Sequence, residues 1–369
     1  MDNIRGYPLP PRAIHQVAPA FYSGDAISNQ MAKMRALFRA WGYTSQVYAP
    51  VRDQRIPDPG LDLDQYISHP QNILIYHYST YTPLSVWVNS LPELVIFYYH
   101  NVTPPEFFAP YAPDFATQLA RGRHEVRMFN GRSCAWAGSD YNRADLLAAG
   151  FRQVDVLPYF LYFDALIAAE QTETAQRIVK MYADGSVNWL FVGRLAPNKC
   201  QDDIIRAFTY YHRCINSNSR LFLIGAGDLA PYRARLEYLV ERNVPDHIYL
   251  PGAVSLEALS GYYKAASVFV SMSEHEGFGI PLIEAMTFDL PVIAFNAAAV
   301  PDTLGQAGIL VNHKDYAVIA ELVELLMQNA QLREHIILRQ RARVAALDPA
   351  QIETLLHTLI EQCQKEFGY

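Results

Sequence analysis

The chain has 369 residues, of which 51% are hydrophobic, and a formal net charge of −7. This length suits two domains of ordinary size, each with its own core. The negative charge argues against nucleic acid as the main partner. No apolar run of about 18 residues occurs, so we expect no membrane-spanning helix. Residues 1–10 lack the apolar core of a signal peptide.

The four cysteines are scattered along the chain, at Cys134, Cys200, Cys214 and Cys363. Their spacing matches neither a metal site nor a disulfide framework. Such a pattern is typical of unpaired thiols in a reducing cytosol, so we predict a cytoplasmic protein.

Short apolar runs alternate with helical patterns in both halves of the chain. The predicted strands of the first half are 13–19, 44–49, 72–78, 94–100, 133–137 and 154–158, and those of the second half are 189–192, 220–224, 247–250, 267–272, 291–295 and 308–311. Repeated alternation of strand and helix indicates parallel sheets covered by helices. The fold class is therefore α/β, with two Rossmann-like domains facing each other across a cleft and a boundary within 159–187.

The most informative segment follows the predicted strand 267–272. Two acids, Glu276 and Glu284, enclose the loop residues Gly277, Phe278 and Gly279, and a proline suited to the first turn of a helix comes next. Open α/β sheets bind ligands where a strand's carboxyl end meets a helix's amino end. Backbone N–H groups there favour an anion, whereas the acids suit hydroxyl groups. Phosphate together with hydroxyls indicates a sugar nucleotide.

This segment resembles the E-x7-E motif of retaining glycosyltransferases with the two-domain GT-B fold, especially family 4. The similarity continues through residues 291–294, 301–305 and 307–311. It implies that residues 1–165 form an acceptor domain and residues 166–349 a nucleotide-sugar domain that includes the linker. It also implies that a C-terminal helix, about 350–369, packs back on the first domain.

The resemblance assigns donor-binding residues in the second domain. Glu284 matches the acid that binds ribose hydroxyls, and Glu276 the acid that binds the donor sugar. Gly193, Arg194 and Lys199 resemble the G-R-x4-K pattern whose cations hold the donor diphosphate. Diphosphate leaving groups need such neutralisation as they depart. The family often has glycine after the lysine, where this chain has Cys200, which leaves the loop conformation open.

Further assignments in this domain concern backbone contacts. Gly277, Phe278 and Gly279 match amides that lie against sugar and phosphate. Val254 belongs to a segment that resembles the one whose backbone reads the base. The Gly225-Ala226-Gly227 turn is explained equally well by turn chemistry and by ligand contact.

In the first domain, His100 resembles a family histidine that contacts the donor sugar. We assign catalytic roles to His100, Glu276, Arg194 and Lys199. Gly24 lies where the family commonly has two glycines, and helix capping explains this loop as well as phosphate contact does. His77 is better explained as a satisfied structural residue than as a residue of the acceptor pocket.

Two groups of basic residues suggest contact with anionic lipid, although solvated helix faces explain them better. The first group is Arg121, Arg123, His124, Arg127 and Arg132, and the second is Lys33, Arg35 and Arg39.

The sequence thus predicts retaining, metal-independent transfer of a sugar from a nucleotide diphosphate sugar, a GDP- or UDP-sugar, to a hydroxyl of a glycan or lipid-linked acceptor. No cofactor and no metal are expected, and the predicted location is cytoplasmic, with contact at the inner face of the membrane as an option. Two alternatives stay open: a phosphorylase or nucleotide-sugar epimerase on the same fold, and a non-catalytic protein that binds sugar nucleotides.

Overall fold

Parallel strands dominate the structure, a computed structural model that describes residues 13–22, 24–131 and 134–367. Two six-stranded sheets are parallel throughout, and two short strands form a separate parallel pair. The strands are β1 (Ala13–Val17), β2 (Ala20–Phe21), β3 (Val47–Tyr48), β4 (Val51–Arg52), β5 (Asn72–Tyr78), β6 (Leu94–Tyr99), β7 (Cys134–Ala137), β8 (Asp155–Val156), β9 (Val187–Val192), β10 (Ser219–Ile224), β11 (Ile248–Gly252), β12 (Val268–Ser271), β13 (Val292–Phe295) and β14 (Ile309–Val311).

Helices connect most of these strands, as parallel pairing requires. They are α1 (Ala26–Ala40), α2 (Leu84–Ser90), α3 (Pro113–Glu125), α4 (Asp140–Ala148), α5 (Asp164–Ala168), α6 (Glu173–Tyr182), α7 (Gln201–Cys214), α8 (Ala230–Arg242), α9 (Leu256–Ala265), α10 (Ile280–Thr287), α11 (Val300–Leu304), α12 (Tyr316–Gln328), α13 (Ala330–Ala346) and α14 (Pro349–Phe367).

The chain divides into two compact units. Of the described residues, those within 13–102, 117–160 and 349–367 form unit 1, and residues 103–116 and 161–348 form unit 2. Along the chain, the unit changes between residues 102 and 103, 116 and 117, 160 and 161, and 348 and 349. Residues 103–116 belong by their contacts to unit 2, although they lie within the first half of the chain.

Unit 1 is built on a sheet with the strand order β3-β1-β5-β6-β7-β8. Strands β5 and β6 are buried along their whole length, which explains their continuous apolar runs. The C-terminal helix α14 packs its apolar face, including Ile352, Leu356 and Leu359, into the core of this unit. An ion pair of 2.8 Å between Lys33 on α1 and Glu353 on α14 adds to this packing.

Unit 2 is built on a sheet with the strand order β11-β10-β9-β12-β13-β14. In order along the chain this is 3-2-1-4-5-6, the doubly wound arrangement. The direction of winding reverses between β9 and β12, which are neighbours in the sheet. Ligands of open α/β sheets bind in the crevice at this switch point, beyond the carboxyl ends of the strands.

The fold class predicted from the sequence is confirmed, because each predicted apolar run overlaps a strand of one of the two parallel sheets. The small β2–β4 pair was not predicted. The expectation of unpaired thiols is wrong for Cys134 and Cys363, which form a disulfide, whereas Cys200 and Cys214 are free. No helix in the described ranges combines the length and the apolar composition of a membrane span.

Candidate functional site

Two loops meet at the switch point of unit 2. One follows β9 and ends in a short 3-10 turn, Pro197–Lys199, and the other follows β12 and leads into α10. The backbone N–H of Glu274 donates to the carbonyl of Asn198 at 2.9 Å, and the Asn198 side chain donates to the carbonyl of His275 at 3.0 Å. The two loops are thus held as one surface.

The predicted cations of the first loop have different environments. Lys199 pairs with Glu276 across the loops, with 2.5 Å between Nζ and Oε2, and both side chains are largely buried, at 19% and 15% exposure. Arg194 is exposed and forms no ion pair with any described residue. The site therefore presents one free guanidinium next to an ammonium that a predicted sugar-binding acid already holds.

The glycine turn after β10 is explained by packing. A Cβ added to Gly225 would lie 2.0 Å from the carbonyl oxygen of Gly193, so only glycine allows the two loops to approach this closely. The Gly225 N–H also donates to the carbonyl of Gly252, where β11 ends, at 2.9 Å. Val254, half-buried, follows in the next loop, so the loops after β9, β10 and β11 share one edge of the sheet.

Cys200 keeps the conformation that glycine would supply. Its φ of 50° and ψ of 45° are left-handed, and it forms the N-cap of α7. A non-glycine residue in this region is strained by roughly 1–2 kcal/mol. Cys200 thus occupies a backbone conformation that glycine adopts without strain. Burial raises the pKa of the Cys200 thiol to about 12, so the thiol stays protonated.

The loop that follows β12 and carries Glu274 and Glu276, here called the acidic loop, is anchored on its other side by α11. The backbone N–H of Ala299 donates to the carbonyl of Glu276 at 3.3 Å, and the Thr303 hydroxyl donates to the carbonyl of Phe278. Gly279, with a φ of 96°, caps α10 in a left-handed conformation that favours glycine. Helix α10 therefore starts directly beside the loop that pairs with Lys199.

Glu284 lies in the second turn of α10. One of its carboxylate oxygens, Oε2, accepts a hydrogen bond of 2.7 Å from the hydroxyl of Tyr263 on α9. Burial raises the pKa of Glu284, and the bond from Tyr263 acts in the opposite direction.

A third cation lies beside these loops. Lys314 contacts Asp203 of α7 at 2.7 Å and Glu274 at 2.6 Å, and it is only 14% exposed. Cys200, Asp203 and Glu274 lie close enough together to suggest a metal site. The ammonium group of Lys314 already pairs with both carboxylates, and Arg206 also pairs with Asp203. We therefore assign this cluster a structural role in joining α7 to the acidic loop.

In unit 1, His100 lies at the end of β6 with both ring nitrogens hydrogen-bonded. Its Nδ1 lies 2.7 Å from the Tyr159 hydroxyl, and its Nε2 lies 2.9 Å from Nδ1 of His77. His77 Nε2 lies 3.0 Å from Oε1 of Gln16, whose amide nitrogen donates to the carbonyl of Met31. Burial lowers the pKa of His100 to about 3, so the ring is neutral at neutral pH.

This chain of bonds determines the tautomers. Gln16 Oε1 only accepts, so His77 carries its proton on Nε2 and accepts at Nδ1. His100 must then carry its proton on Nε2, and Tyr159 donates to its Nδ1. His77 is fully buried in this network, which agrees with the structural interpretation of that residue.

The remaining sequence assignments in unit 1 have structural explanations in the described residues. Gly24 has a φ of 79° in the exposed turn before α1, and Asp25 caps that helix by accepting from the N–H of Ser28 at 2.9 Å. Asn101 has a φ of 79° and donates to Asn142 at 2.8 Å, which fixes the backbone directly after His100.

Contacts within the protein occupy several side chains of the two basic groups. Arg123 donates to the carbonyl of Val102 and to Asp145, and Arg35 and Arg39 both pair with Asp58. Arg121, His124 and Arg127 stay exposed. Arg132 lies outside the described residues.

Sequence reasoning missed Tyr263, Lys314 and Tyr159. Each makes its contact with a residue distant in the chain: Tyr263 with Glu284, Lys314 with Asp203, and Tyr159 with His100. None of the three lies in a local motif, so only their placement by the sheets reveals them.

Known proteins with similar sequences and structures include glycosyltransferases. Residues 176–343 match the family described as glycosyl transferases group 1. The chain is 24% identical to the O-antigen chain mannosyltransferase B of Escherichia coli, over 87% of this chain and 81% of that protein. It is 29% identical to the GDP-mannose-dependent alpha-(1-6)-phosphatidylinositol monomannoside mannosyltransferase of Mycobacterium tuberculosis, over only 37% of each chain.

The structure of Anabaena HepE in complex with UDP and glucose has the same fold. It aligns with a TM-score of 0.71 and 15% identity, over 94% of this chain and 99% of that one. The chain is therefore a glycosyltransferase that has the GT-B fold and carries a group 1 domain in its second unit.

Proposed function

We propose that the protein transfers a sugar from a GDP- or UDP-sugar to a hydroxyl of a glycan or lipid-linked acceptor, with retention of the anomeric configuration and without a metal ion. The observation that carries the donor part is the joined surface at the switch point of unit 2. There Arg194 and Lys199 lie on one loop, and Glu276 lies on the loop bonded to it.

The cations are proposed to neutralise the diphosphate. Arg194 is exposed and offers a fork of N–H donors that matches phosphate oxygens. Lys199 would leave Glu276 for the diphosphate, and the released carboxylate would then accept hydrogen bonds from hydroxyls of the sugar. These two cations and the amino end of α10 supply the positive charge for which other enzymes use a metal.

The proposed reaction follows the same-face course implied by the family resemblance. The bond between the anomeric carbon and the diphosphate oxygen breaks, and a bond from the acceptor oxygen forms on the same face. The proton of the acceptor hydroxyl passes to the departing phosphate oxygen. His100 has both nitrogens bonded within unit 1, so we propose that it contacts the sugar while neutral and does not act as the base.

The names of the relatives support the choice of donor. One acts on GDP-mannose, and the solved structure of another protein holds UDP and glucose. Both bases thus occur among similar proteins. We propose that backbone groups near Val254 read the base and that Glu284 holds the ribose.

Calorimetric titration with GDP, UDP, ADP and dTDP tests this proposal, with EDTA or with Mg²⁺ present. We expect one nucleotide to bind, unaffected by EDTA. Arg194→Gln and Lys199→Gln are each expected to weaken that binding by about tenfold or more, because each removes a charge-assisted contact. Lys180→Gln, an exposed lysine on α6, is the control and should leave the binding unchanged.

Turnover of the matching nucleotide sugar, followed by NMR of the new glycosidic bond, tests the stereochemistry. An inverted anomeric configuration would contradict the retaining mechanism, and loss of activity in EDTA would contradict metal independence. Hydrolysis or phosphorolysis without any transfer to a hydroxyl acceptor would favour the alternative function as a phosphorylase.

We also propose peripheral contact of unit 1 with an anionic membrane, at the inner face where a cytoplasmic enzyme would meet a lipid-linked acceptor. Arg121, His124 and Arg127 lie exposed around a shallow groove with the apolar side chains of Val86 and Met128. Cations beside exposed apolar groups are typical of surfaces that bind anionic lipid.

Flotation with vesicles tests the membrane contact. The protein should float with vesicles that contain phosphatidylglycerol and not with phosphatidylcholine alone, and high salt should release it. The double variant Arg121→Glu/Arg127→Glu should abolish flotation, and Lys180→Glu should not. Equal flotation of both variants would contradict the assignment.

A further inference from the structure

The hydrogen bond between Tyr263 and Glu284 links two helices at the proposed ribose site. Tyr263 Oη donates to Glu284 Oε2 at 2.7 Å. The other carboxylate oxygen, Oε1, accepts no hydrogen bond from the residues that the structure describes. The carboxylate therefore has one oxygen committed to the protein and one available to a ligand.

Packing fixes the position of the Tyr263 hydroxyl. The side chain is 1% exposed. Its ring stacks with Phe269 of β12 and with Phe288 at the end of α10, at centroid distances of 6.3 and 5.3 Å and interplanar angles of 20° and 15°. A buried ring that stacks with two others has little rotational freedom, so its hydroxyl is a donor at a defined point.

The charge state of both partners suits this arrangement. Burial raises the pKa of Tyr263 well above its usual range, so the hydroxyl remains a donor at physiological pH. Burial also raises the pKa of Glu284, and the hydrogen bond from Tyr263 lowers it. The bond thus favours the ionised form of a buried acid and holds it in one orientation.

We infer that Tyr263 is a positioning residue for donor recognition: it holds Glu284 so that Oε1 accepts a hydrogen bond from a ribose hydroxyl. This inference rests on the proposed function, in which Glu284 binds the ribose. It adds that recognition of ribose against deoxyribose depends on a residue that does not itself touch the nucleotide.

A purely structural role for Tyr263 makes a different prediction. If the bond only ties α9 to α10, its loss would weaken the binding of all nucleotides equally. If the bond positions the carboxylate, its loss would selectively reduce the advantage of ribose. The ratio of two affinities separates these cases, because effects on folding cancel in the ratio.

The experiment is calorimetric titration of UDP and GDP and of their 2′-deoxy and 3′-deoxy analogues. In the wild type, removal of the recognised hydroxyl should weaken binding by about tenfold to a hundredfold, as expected for a hydrogen bond to a charged group. In Tyr263→Phe that ratio should shrink to threefold or less (roughly the loss of most of this bond). Tyr262→Phe, which removes the neighbouring hydroxyl on the same helix, should keep the wild-type ratio.

Three results would overturn the inference. The same ratio in Tyr263→Phe and in the wild type would show that Tyr263 does not position Glu284. Equal affinity of the wild type for ribo- and deoxyribonucleotides would show that Glu284 does not read the ribose, while the proposed diphosphate site would stand. A wild type that binds none of these nucleotides would overturn the proposed function and the inference with it.

A second variant changes the acceptor of the same hydrogen bond instead of its donor. Glu284→Asp shortens the side chain by one methylene and moves the carboxylate away from the Tyr263 hydroxyl. The ratio of the affinities for the ribonucleotide and its deoxy analogue should then shrink as it does in Tyr263→Phe. Thermal melting of each variant without ligand checks the fold. A Glu284→Asp protein that melts like the wild type and keeps the full ratio would also contradict the inference.

Discussion

Cys200 stands where the family pattern often has glycine, and it adopts a backbone conformation that glycine favours. The residue occupies a left-handed position at the start of α7, and its side chain is buried against the turn that holds Lys199. The strain of a non-glycine residue there is offset by the burial of the side chain. Cys200 thus lets the chain turn directly from Lys199 into α7.

The ion pair between Lys199 and Glu276 leads to a prediction about substrate and product. In Glu276→Gln, Lys199 loses its charged partner and is free for the diphosphate. The nucleoside diphosphate should then bind as tightly as in the wild type or up to several-fold tighter, whereas turnover of the nucleotide sugar should fall by about tenfold or more. Calorimetry and initial rates measure the two quantities.

Glu274→Gln is the matched control for this variant, since it makes the same change two residues earlier in the same loop. Glu274 pairs with Lys314 and not with Lys199, so its loss should leave the affinity for the diphosphate unchanged. If Glu276→Gln weakens the binding of the diphosphate, the pair holds Lys199 in place for the ligand and does not compete with it.

We predict that Glu284 lowers the stability of the folded protein, although it serves the binding of the nucleotide. Its pKa is raised in the folded protein, so folding opposes its ionisation. The penalty is complete above the folded pKa and vanishes below the ordinary value near 4.5. Glu284→Gln should therefore raise the melting temperature at pH 7 without ligand, on the order of 2 °C. The rise should disappear near pH 4.

The same variant should lose the stabilisation that the nucleotide gives the wild type. Thermal melting with and without ligand measures both effects, and Glu241→Gln, an exposed acid on α8, is the control. A Glu284→Gln protein that is less stable than the wild type at pH 7 would show that the carboxylate stabilises the unit.

At the scale of strands and helices, the sequence predicted the sheets because buried parallel strands are continuous apolar runs. Strand β5 was predicted with its observed bounds, Asn72–Tyr78, and β9, β10 and β12 to within one or two residues. The strand order then places the loops after β9 and β12 side by side. This juxtaposition explains why two motifs almost eighty residues apart in the chain contact each other.

Contacts between distant side chains could not be predicted in this way. Tyr263 reads as one of many apolar positions of α9, and its hydroxyl acquires a partner only because α10 packs beside it. The network of Gln16, His77 and His100 likewise depends on the register of β1, β5 and β6. The strands β2 and β4, of two residues each, pair only with each other and lie outside the two large sheets.

Three buried histidines on β1, β5 and the end of β6 predict that unit 1 is sensitive to acid. Burial lowers the pKa of His15 to about 4 and that of His100 to about 3, and it lowers that of His77 well below its usual value. Because the unfolded chain takes up these protons first, stability is fully present above about pH 6.5 and is lost as the pH falls. Each histidine contributes a slope of up to about 1.4 kcal/mol per pH unit.

Urea unfolding between pH 7 and pH 5, followed by tryptophan fluorescence in a Trp189→Phe background, measures this slope. Trp189 belongs to unit 2, so the remaining signal comes from unit 1. The variant His15→Gln should reduce the slope by up to about 1.4 kcal/mol per pH unit. His124→Gln, an exposed histidine, should not change it, and equal slopes in the wild type and His15→Gln would contradict the argument.

At the scale of the whole molecule, the chain leaves unit 1 for residues 103–116, leaves it again after residue 160 and returns to it at residue 349. Helix α14 completes the core of unit 1, with Ile352, Leu356 and Ile360 buried among residues from the sheet and α1. Unit 1 is therefore incomplete until the last helix is in place. A truncation before residue 349 would remove this part of its core.

The disulfide between Cys134 on β7 and Cys363 on α14 fastens this last helix and closes a loop with a sequence separation of 229 residues. Such a bond limits the unfolded chain, so Cys363→Ser should lower the free energy of unfolding by about 2–5 kcal/mol in protein purified without reductant. A reductant should lower the melting temperature of the wild type and leave that of Cys363→Ser unchanged. The variant Cys214→Ser, which removes an exposed free cysteine, should behave as the wild type.

Thiol titration in denaturant should find two free thiols before reduction and four after it, because Cys200 and Cys214 are unpaired. Four free thiols before reduction would show that α14 is held on unit 1 without the disulfide.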